Sequence, residues 1–286
     1  MRRPSALLLA GLLLAAVPGQ PTFGSAPGPG ITIPDAGPGQ PYPSEIEVSG
    51  LPSRLGDVNV TLESLSHTSP QDLDVVLMGP GGQSSFLLSD VGLNHAVSDV
   101  TLTLDQEATE GLPDATPITS GTFKPTDSDS IGWDSDDMPP PAPTPLVTSL
   151  TIFVGTNPNG TWRLFVNDDT TNHGGTMAAW SLDILTTGVR KANAREGGTV
   201  TFRVTRSGRV DQPLTVAYRT VNGTAKGGKD FRKVSGTATF APGETSTKVK
   251  VRTRQDRVAE GTERFFLKVT AEGVTTTGRG TIRDND

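Results

Sequence analysis

The 286-residue chain has no cysteine. Disulfides and thiolate metal sites are therefore excluded. It has only three histidines, His67, His95 and His173, and no H-x-x-x-H pair for zinc. Aromatic residues make up 5% of the chain, too few for the base-stacking surfaces of a nucleic-acid binder. The same scarcity ranks a carbohydrate-binding jelly roll last among functions. Beyond residue 17 no apolar run approaches bilayer-spanning length, so no transmembrane segment is expected. Nor does any later segment sustain helical periodicity. What the chain has in excess is punctuation: 33 glycines and 23 prolines. Some crowd into linkers, and the rest separate short strands.

Arg2 and Arg3 followed by the unbroken apolar run Ala6 to Val17 have the pattern of a secretory signal peptide. Small residues place cleavage between Gly19 and Ala26, and Pro18, Pro21, Pro27 and Pro29 stop any helix there. Residues 1–25 are accordingly read as signal, and a secreted, extracellular location is expected, with cell-surface association left open. An exported chain without disulfides needs another clamp for its loops. Bound calcium is a candidate, because its ligands are oxygens and extracellular calcium is abundant.

The net charge of −6 conceals a split. Residues 26–186 carry 21 acidic side chains against 3 basic, whereas residues 187–286 carry 10 against 20. Two such halves imply two domains with different surfaces. Residues 26–43 read as a Pro/Gly-rich linker, 44–186 as the first domain and 187–286 as the second.

Both halves alternate with period 2, as half-buried strands do. In the first, Val58/Val60/Leu62, Leu73/Val75/Leu77, Phe86–Leu88, Val100/Leu102/Leu104, Leu150/Ile152/Val154, Trp162/Leu164/Val166 and Trp180/Leu182/Ile184 are the expected strands. In the second they are Val200/Phe202/Val204, Leu214/Val216/Tyr218, Ala238/Phe240, Val249/Val251 and Phe265/Leu267/Val269. The fold class is all-β, and a hundred residues with this many short runs is the size of an immunoglobulin-like sandwich. Residues 125–145 break the pattern with Asp127, Asp129, Asp134, Asp136 and Asp137 followed by a proline cluster. Such a loop is either a calcium- or partner-binding element or a solvated insertion.

In the second half the acids fall at strand ends: Glu196, Asp230, Asp256, Glu260, Asp284 and Asp286. Alternate strand ends of a sandwich meet at one pole, so distant carboxylates can converge. Lys248, Lys250, Arg252 and Arg254 share one parity and point to the same side of their sheet. They form either a patch for anionic surface polymers or other extracellular proteins, or a charged face that protects an edge strand.

The stretches REGGTVTFRVTRSG, TVAYRTVNGTAKGGKDF, SGTATFAPGETSTKVKVRTRQD, VAEGTERFFLKV and TIRDND, in this order, resemble the Calx-beta family from about Val189 to Asp286. The resemblance implies Ca2+ as cofactor, with the six strand-end acids as ligands and Glu263 as a weaker candidate. Where the family often has paired or tripled acids, this chain has Gln255-Asp256 and Asp284-Asn285-Asp286. Fewer charged ligands imply fewer or weaker ions.

The stretches LGDVNVTLESLSHTSPQDLDVVLMGPGG and NPNGTWRLFVNDDTTNHGGTMAAWSLDI resemble the P domain (P/Homo B) of subtilisin-like proprotein convertases, from about Tyr42 to Leu185. That resemblance implies a jelly-roll β-barrel lying beside a protease, with Asp72 and Asp168 as further calcium ligands. His67 reads as a structural hydrogen-bonding residue. The segment HGGTMAA superficially matches subtilase signatures, but Thr176 stands where the nucleophilic serine belongs, and no α/β scaffold surrounds it. No enzyme activity is expected. The leading expectation is an exported, non-catalytic calcium-binding protein with a structural, adhesion or interaction role. The alternative is an accessory chain of a subtilisin-like serine endopeptidase.

Overall fold

A computed structural model describes residues 27–128, 138–144 and 147–286. The signal-peptide reading and Asp129, Asp134, Asp136 and Asp137 lie outside the described residues. Strands and two short 3-10 helices make up the regular structure, with no α-helix among the described residues. The fold is all-β, in two modules.

The first module sandwiches its core between two sheets. One contains Leu55–His67 paired with Ala179–Val189 and with Val97–Leu104. The other is built on Gly160–Asp168, flanked by Leu73–Met78 and Ser44–Val48. The alternating residues face inward as their pattern demands. Val58, Val60, Leu62, Leu73, Leu77, Trp162 and Trp180 are all buried in this core. In the second module Thr199–Ser207 and Ser246–Arg252 face a five-stranded sheet. That sheet includes Ala192–Arg195, which runs parallel to Val274–Arg283. Phe202, Phe231 and Phe265 fill the space between, with Phe231 stacked on Phe265 at 4.3 Å.

Two expectations change. Residues 27–43 are not a free linker. Ile31–Ile33 pairs with Gly175–Met177, and Ile31 and Ile33 enter the first core. Two isoleucines at period 2 supply enough apolar surface to dock a segment that is otherwise Pro/Gly-rich. Gly28 lies so close to Trp180 that an added Cβ would overlap the indole. Second, Leu150/Ile152/Val154 is not a strand. Leu150–Phe153 is a 3-10 turn capped by the Ser149 hydroxyl, which buries Leu150 and Phe153 and leaves Ile152 outside. The true apolar spacing there is i, i+3.

The expected 186/187 boundary falls inside a continuous strand. Ala179–Val189 pairs with Leu55–His67 in its first part and with Thr199–Ser207 in its last. Ile184 faces the first core and Leu185 the second, with a register irregularity at Leu185/Thr186. The join is clamped by Arg209, which pairs with Asp57 and, at 3.2 Å, with Asp183. Gly208 before it has φ +81, and an added Cβ would collide with the Ile184 carbonyl. One sheet therefore runs through both modules.

Candidate metal centre

The strands of the second module set the site. Ala192–Arg195 and Val274–Arg283 run parallel and end together, so Glu196 emerges beside Asp284 and Asp286. Thr199 pairs with Arg252, so the loop after Ser246–Arg252 leaves from the same pole, carrying Asp256 and Glu260. Leu214–Asn222 ends there too, and Glu263 begins the antiparallel strand beside it. All six predicted acids therefore reach the pole remote from the first module.

Backbone bonds lace the loops together. Glu196 N donates to Arg283 O at 3.0 Å, Gly197 N to Arg254 O at 3.1 Å and Arg254 N to Asp230 O at 2.8 Å. Asp230 is further fixed by its neighbour Phe231, which is fully buried, and by Lys226 N, which donates to its Oδ2 at 2.5 Å. The two amides that replace acids serve as ties, since Gln255 Nε2 donates to Asn285 Oδ1 at 3.2 Å.

Two carboxylate groups result: Glu196, Asp256 and Asp286, and Asp230, Glu260 and Glu263. Within each, one oxygen per residue lies within 4.8 Å of the others. Ligands around an ion with calcium–oxygen bonds of about 2.3–2.6 Å are separated by such distances. Four buried oxygens, Glu196 Oε2, Asp230 Oδ1, Glu260 Oε2 and Glu263 Oε2, have no hydrogen-bond partner. A buried acceptor left unsatisfied is costly, and a cation placed among these would satisfy them. The donor set is all hard oxygen, so the residues present fit Ca2+.

Asp284 enters neither group. Its Oδ2 accepts Glu260 N at 2.7 Å and its Oδ1 accepts Asp286 N at 3.0 Å. Those bonds hold its carboxyl below the usual range, and they tie one residue of each group to Asp284. Glu263, the weaker candidate, is a full member of the second group. Alternation alone placed it at a strand start; that the loop with Asp230 folds over it is tertiary information.

Burial and the surrounding acids raise Glu196, and burial with Asp230 and Glu260 raises Glu263. The folded chain thus holds protons at these positions more tightly than the unfolded chain. Their contribution to stability is complete below the ordinary glutamate value of 4.5 and is lost as pH rises through the raised values. In chelator, the melting midpoint carries a component that falls as pH rises above the ordinary glutamate range. Combining Glu196→Gln and Glu263→Gln flattens that component; an unchanged slope in thermal scans would contradict it.

Asp72 and Asp168 join no such group. Asp168 Oδ2 lies 3.0 Å from His67 Nε2, with both side chains fully buried, and Asp72 Oδ2 lies 2.6 Å from His173 Nδ1. Among the described residues, their site is a pair of imidazole–carboxylate contacts and not a carboxylate cage. His67 also bonds Ser69 O at 2.9 Å, the structural part expected of it. In the HGGTMAA segment Thr176 pairs across strands with Ser66 and Thr32.

The family-model match falls on the half of the chain that carries the carboxylate pole. Residues 186–284 match the model of the Calx-beta domain. This chain is 36% identical over 73 residues to human (Homo sapiens) sodium/calcium exchanger 2, covering 25% of this chain and 8% of that protein. This chain thus spans only a small part of the curated relatives it matches. Among solved structures, the apo-form Calx CBD1 domain is 27% identical, with 36% of this chain and 98% of that chain covered and a TM-score of 0.33. The serine protease of Aeromonas sobria in complex with its chaperone is 18% identical, with 57% and 27% covered and a TM-score of 0.27.

On the basic face, Lys248, Lys250 and Arg252 are exposed in one row, with the buried Val249 and Val251 between them. Arg203, opposite Lys248, adds to the row, and Arg254 continues it. The strand Ser246–Arg252 ends its sheet, so the row lies along an edge.

Proposed function

We propose that the Calx-beta segment binds calcium at the carboxylate pole and that the chain is an exported, non-catalytic protein with a structural, adhesion or interaction role. The observation that carries this reading is the convergence of two carboxylate groups with four buried oxygens that lack hydrogen bonds. Calcium suits a site built from several flexible loops better than magnesium, which demands near-ideal octahedral geometry. The match of residues 186–284 to the Calx-beta domain supports the choice of ion. Export is supported by the charged and apolar N-terminus.

The first module serves in this reading as a rigid mount, joined to the second through the strand Ala179–Val189. Against a catalytic role for the HGGTMAA segment stand the contact of His173 with Asp72 and the strand pairing of Thr176. The basic row Lys248, Lys250 and Arg252 offers the surface for an anionic polymer or an acidic protein partner.

Calorimetric titration of the full chain with calcium chloride tests the ion. Saturable uptake is expected, and Glu196→Gln with Asp256→Asn lowers the affinity at least about tenfold by removing two of three charges from one group. No heat at millimolar calcium would rule the reading out.

A further inference from the structure

The two carboxylate groups differ in one respect: one of them already contains a cation. Among the described residues no ion pair reaches Glu196, Asp256 or Asp286. The second group is entered by Lys229, whose Nζ lies 2.6 Å from Glu260 Oε1 and 3.7 Å from Asp230 Oδ1.

One ammonium does not satisfy this group. Asp230 Oδ1, Glu260 Oε2 and Glu263 Oε2 lack hydrogen-bond partners, and the Asp230 side chain is only 3% exposed. A single charge on a long stem meets three carboxylates, where a divalent ion would bring twice the charge and accept six to eight oxygens. Leaving is easy for the lysine. Its side chain is 60% exposed and it follows Gly227-Gly228, with Gly228 at φ +98, so the ammonium can pass to water without being stranded in the interior. Exposed pairs of this kind contribute little on their own, which makes the contact displaceable.

We propose that Lys229 is a tethered competitor for the second cation seat. The seat formed by Asp230, Glu260 and Glu263 takes calcium only by expelling the ammonium, whereas the seat formed by Glu196, Asp256 and Asp286 is free of such a rival. The two therefore fill in order, the lysine-free seat first. Asp284 transmits the first event, because its two oxygens hold Asp286 N and Glu260 N, one residue from each seat. In ion-poor conditions Lys229 acts as an internal substitute that keeps the second group from repelling itself apart. This inference rests on the calcium reading above and concerns which seat is weaker and why.

Calcium titration of the full chain, by calorimetry and by equilibrium dialysis to count ions, provides the test. The unaltered chain takes up calcium in two unequal steps. In Lys229→Gln the weaker step tightens roughly three- to tenfold, while the tighter step moves less than about twofold. Lys229→Arg keeps the charge and behaves as the unaltered chain. Lys226→Gln is the control for general charge, since its ammonium donates to Gly223 O and to neither seat; it produces no selective shift. In chelator Lys229→Gln also melts earlier than the unaltered chain, which reports the substitute role without any ion present. The proposal is overturned if Lys229→Gln leaves the weaker step unchanged, or shifts both steps as Lys226→Gln does. Absence of calcium uptake in every variant would overturn the calcium reading itself, whereas uptake with identical steps throughout would overturn only the role of Lys229.

Discussion

With calcium in large excess, the second module melts roughly 10–20 °C higher than in chelator. The reasoning is mass action. A ligand held only by the native state at a hundred times its dissociation constant adds about 2.7 kcal/mol. For a domain of this size each kcal/mol moves the midpoint by about 4–8 °C. The acids that make the seat also make the ion-free pole costly. Glu196 is 9% exposed and is pushed up first by burial and then by Asp256, Asp284, Asp286 and Glu260. Calcium both satisfies the oxygens that lack hydrogen bonds and removes that repulsion. Differential scanning calorimetry in calcium and in chelator, with magnesium as comparison, measures the shift. A calcium shift no larger than that given by magnesium would defeat the prediction. Combining Glu196→Gln with Asp256→Asn removes most of the calcium shift while leaving the midpoint in chelator unchanged or higher.

Replacing Arg206 by alanine lowers stability by about 3–5 kcal/mol. Arg206 is 2% exposed, and its guanidinium is spent entirely on backbone carbonyls. Nε donates to Glu244 O at 2.8 Å, Nη1 to Gln212 O at 2.6 Å, and Nη2 to Val210 O and Ala241 O, both at 3.1 Å. Its carbon lies 5.5 Å above the centre of the Phe240 ring. Burial lowers its pKa, and Asp211 and Glu244 counter that. Alanine would leave the carbonyls of two turns unsatisfied and open a cavity against Phe240. Lysine does not rescue, because an ammonium cannot reproduce the planar fork that reaches four acceptors. Urea unfolding decides it; a loss below about 1 kcal/mol would mean the turns re-solvate freely. Thr199 begins the strand near the cation pole and Arg206 lies near its other end, so calcium affinity of the folded variant stays as it was.

Arg206 also shows how much of the fold was legible. It shares parity with Val200, Phe202 and Val204, and that parity marks it as inward-facing. Composition hides it, because an arginine among exposed basic residues reads as surface. The docking of Ile31 and Ile33 was likewise written in their spacing but masked by the surrounding proline and glycine. Leu150/Ile152/Val154 is the reverse case: alternation suggested a strand, while Phe153, which supplies the second buried anchor, makes it a 3-10 turn. Arg209 gave no local signal at all, since its partners Asp57 and Asp183 lie in the other module.

For the metal centre, sequence position supplied most of the parts. Acids at strand ends are a local property, and the two-layer all-β class follows from period-2 alternation; both can be read residue by residue. The tertiary structure decided how the acids divide. It sorted them into two groups, withdrew Asp284 to bind backbone amides, brought in Glu263, and gave Asp72 and Asp168 to His173 and His67. It also sent Lys229 into one group only. The physical reason is that a coordination shell is closed by atoms a few ångströms apart on segments tens of residues apart. Alternation determines which face a residue takes, but only the register of strands and the path of loops determine which carboxylates meet.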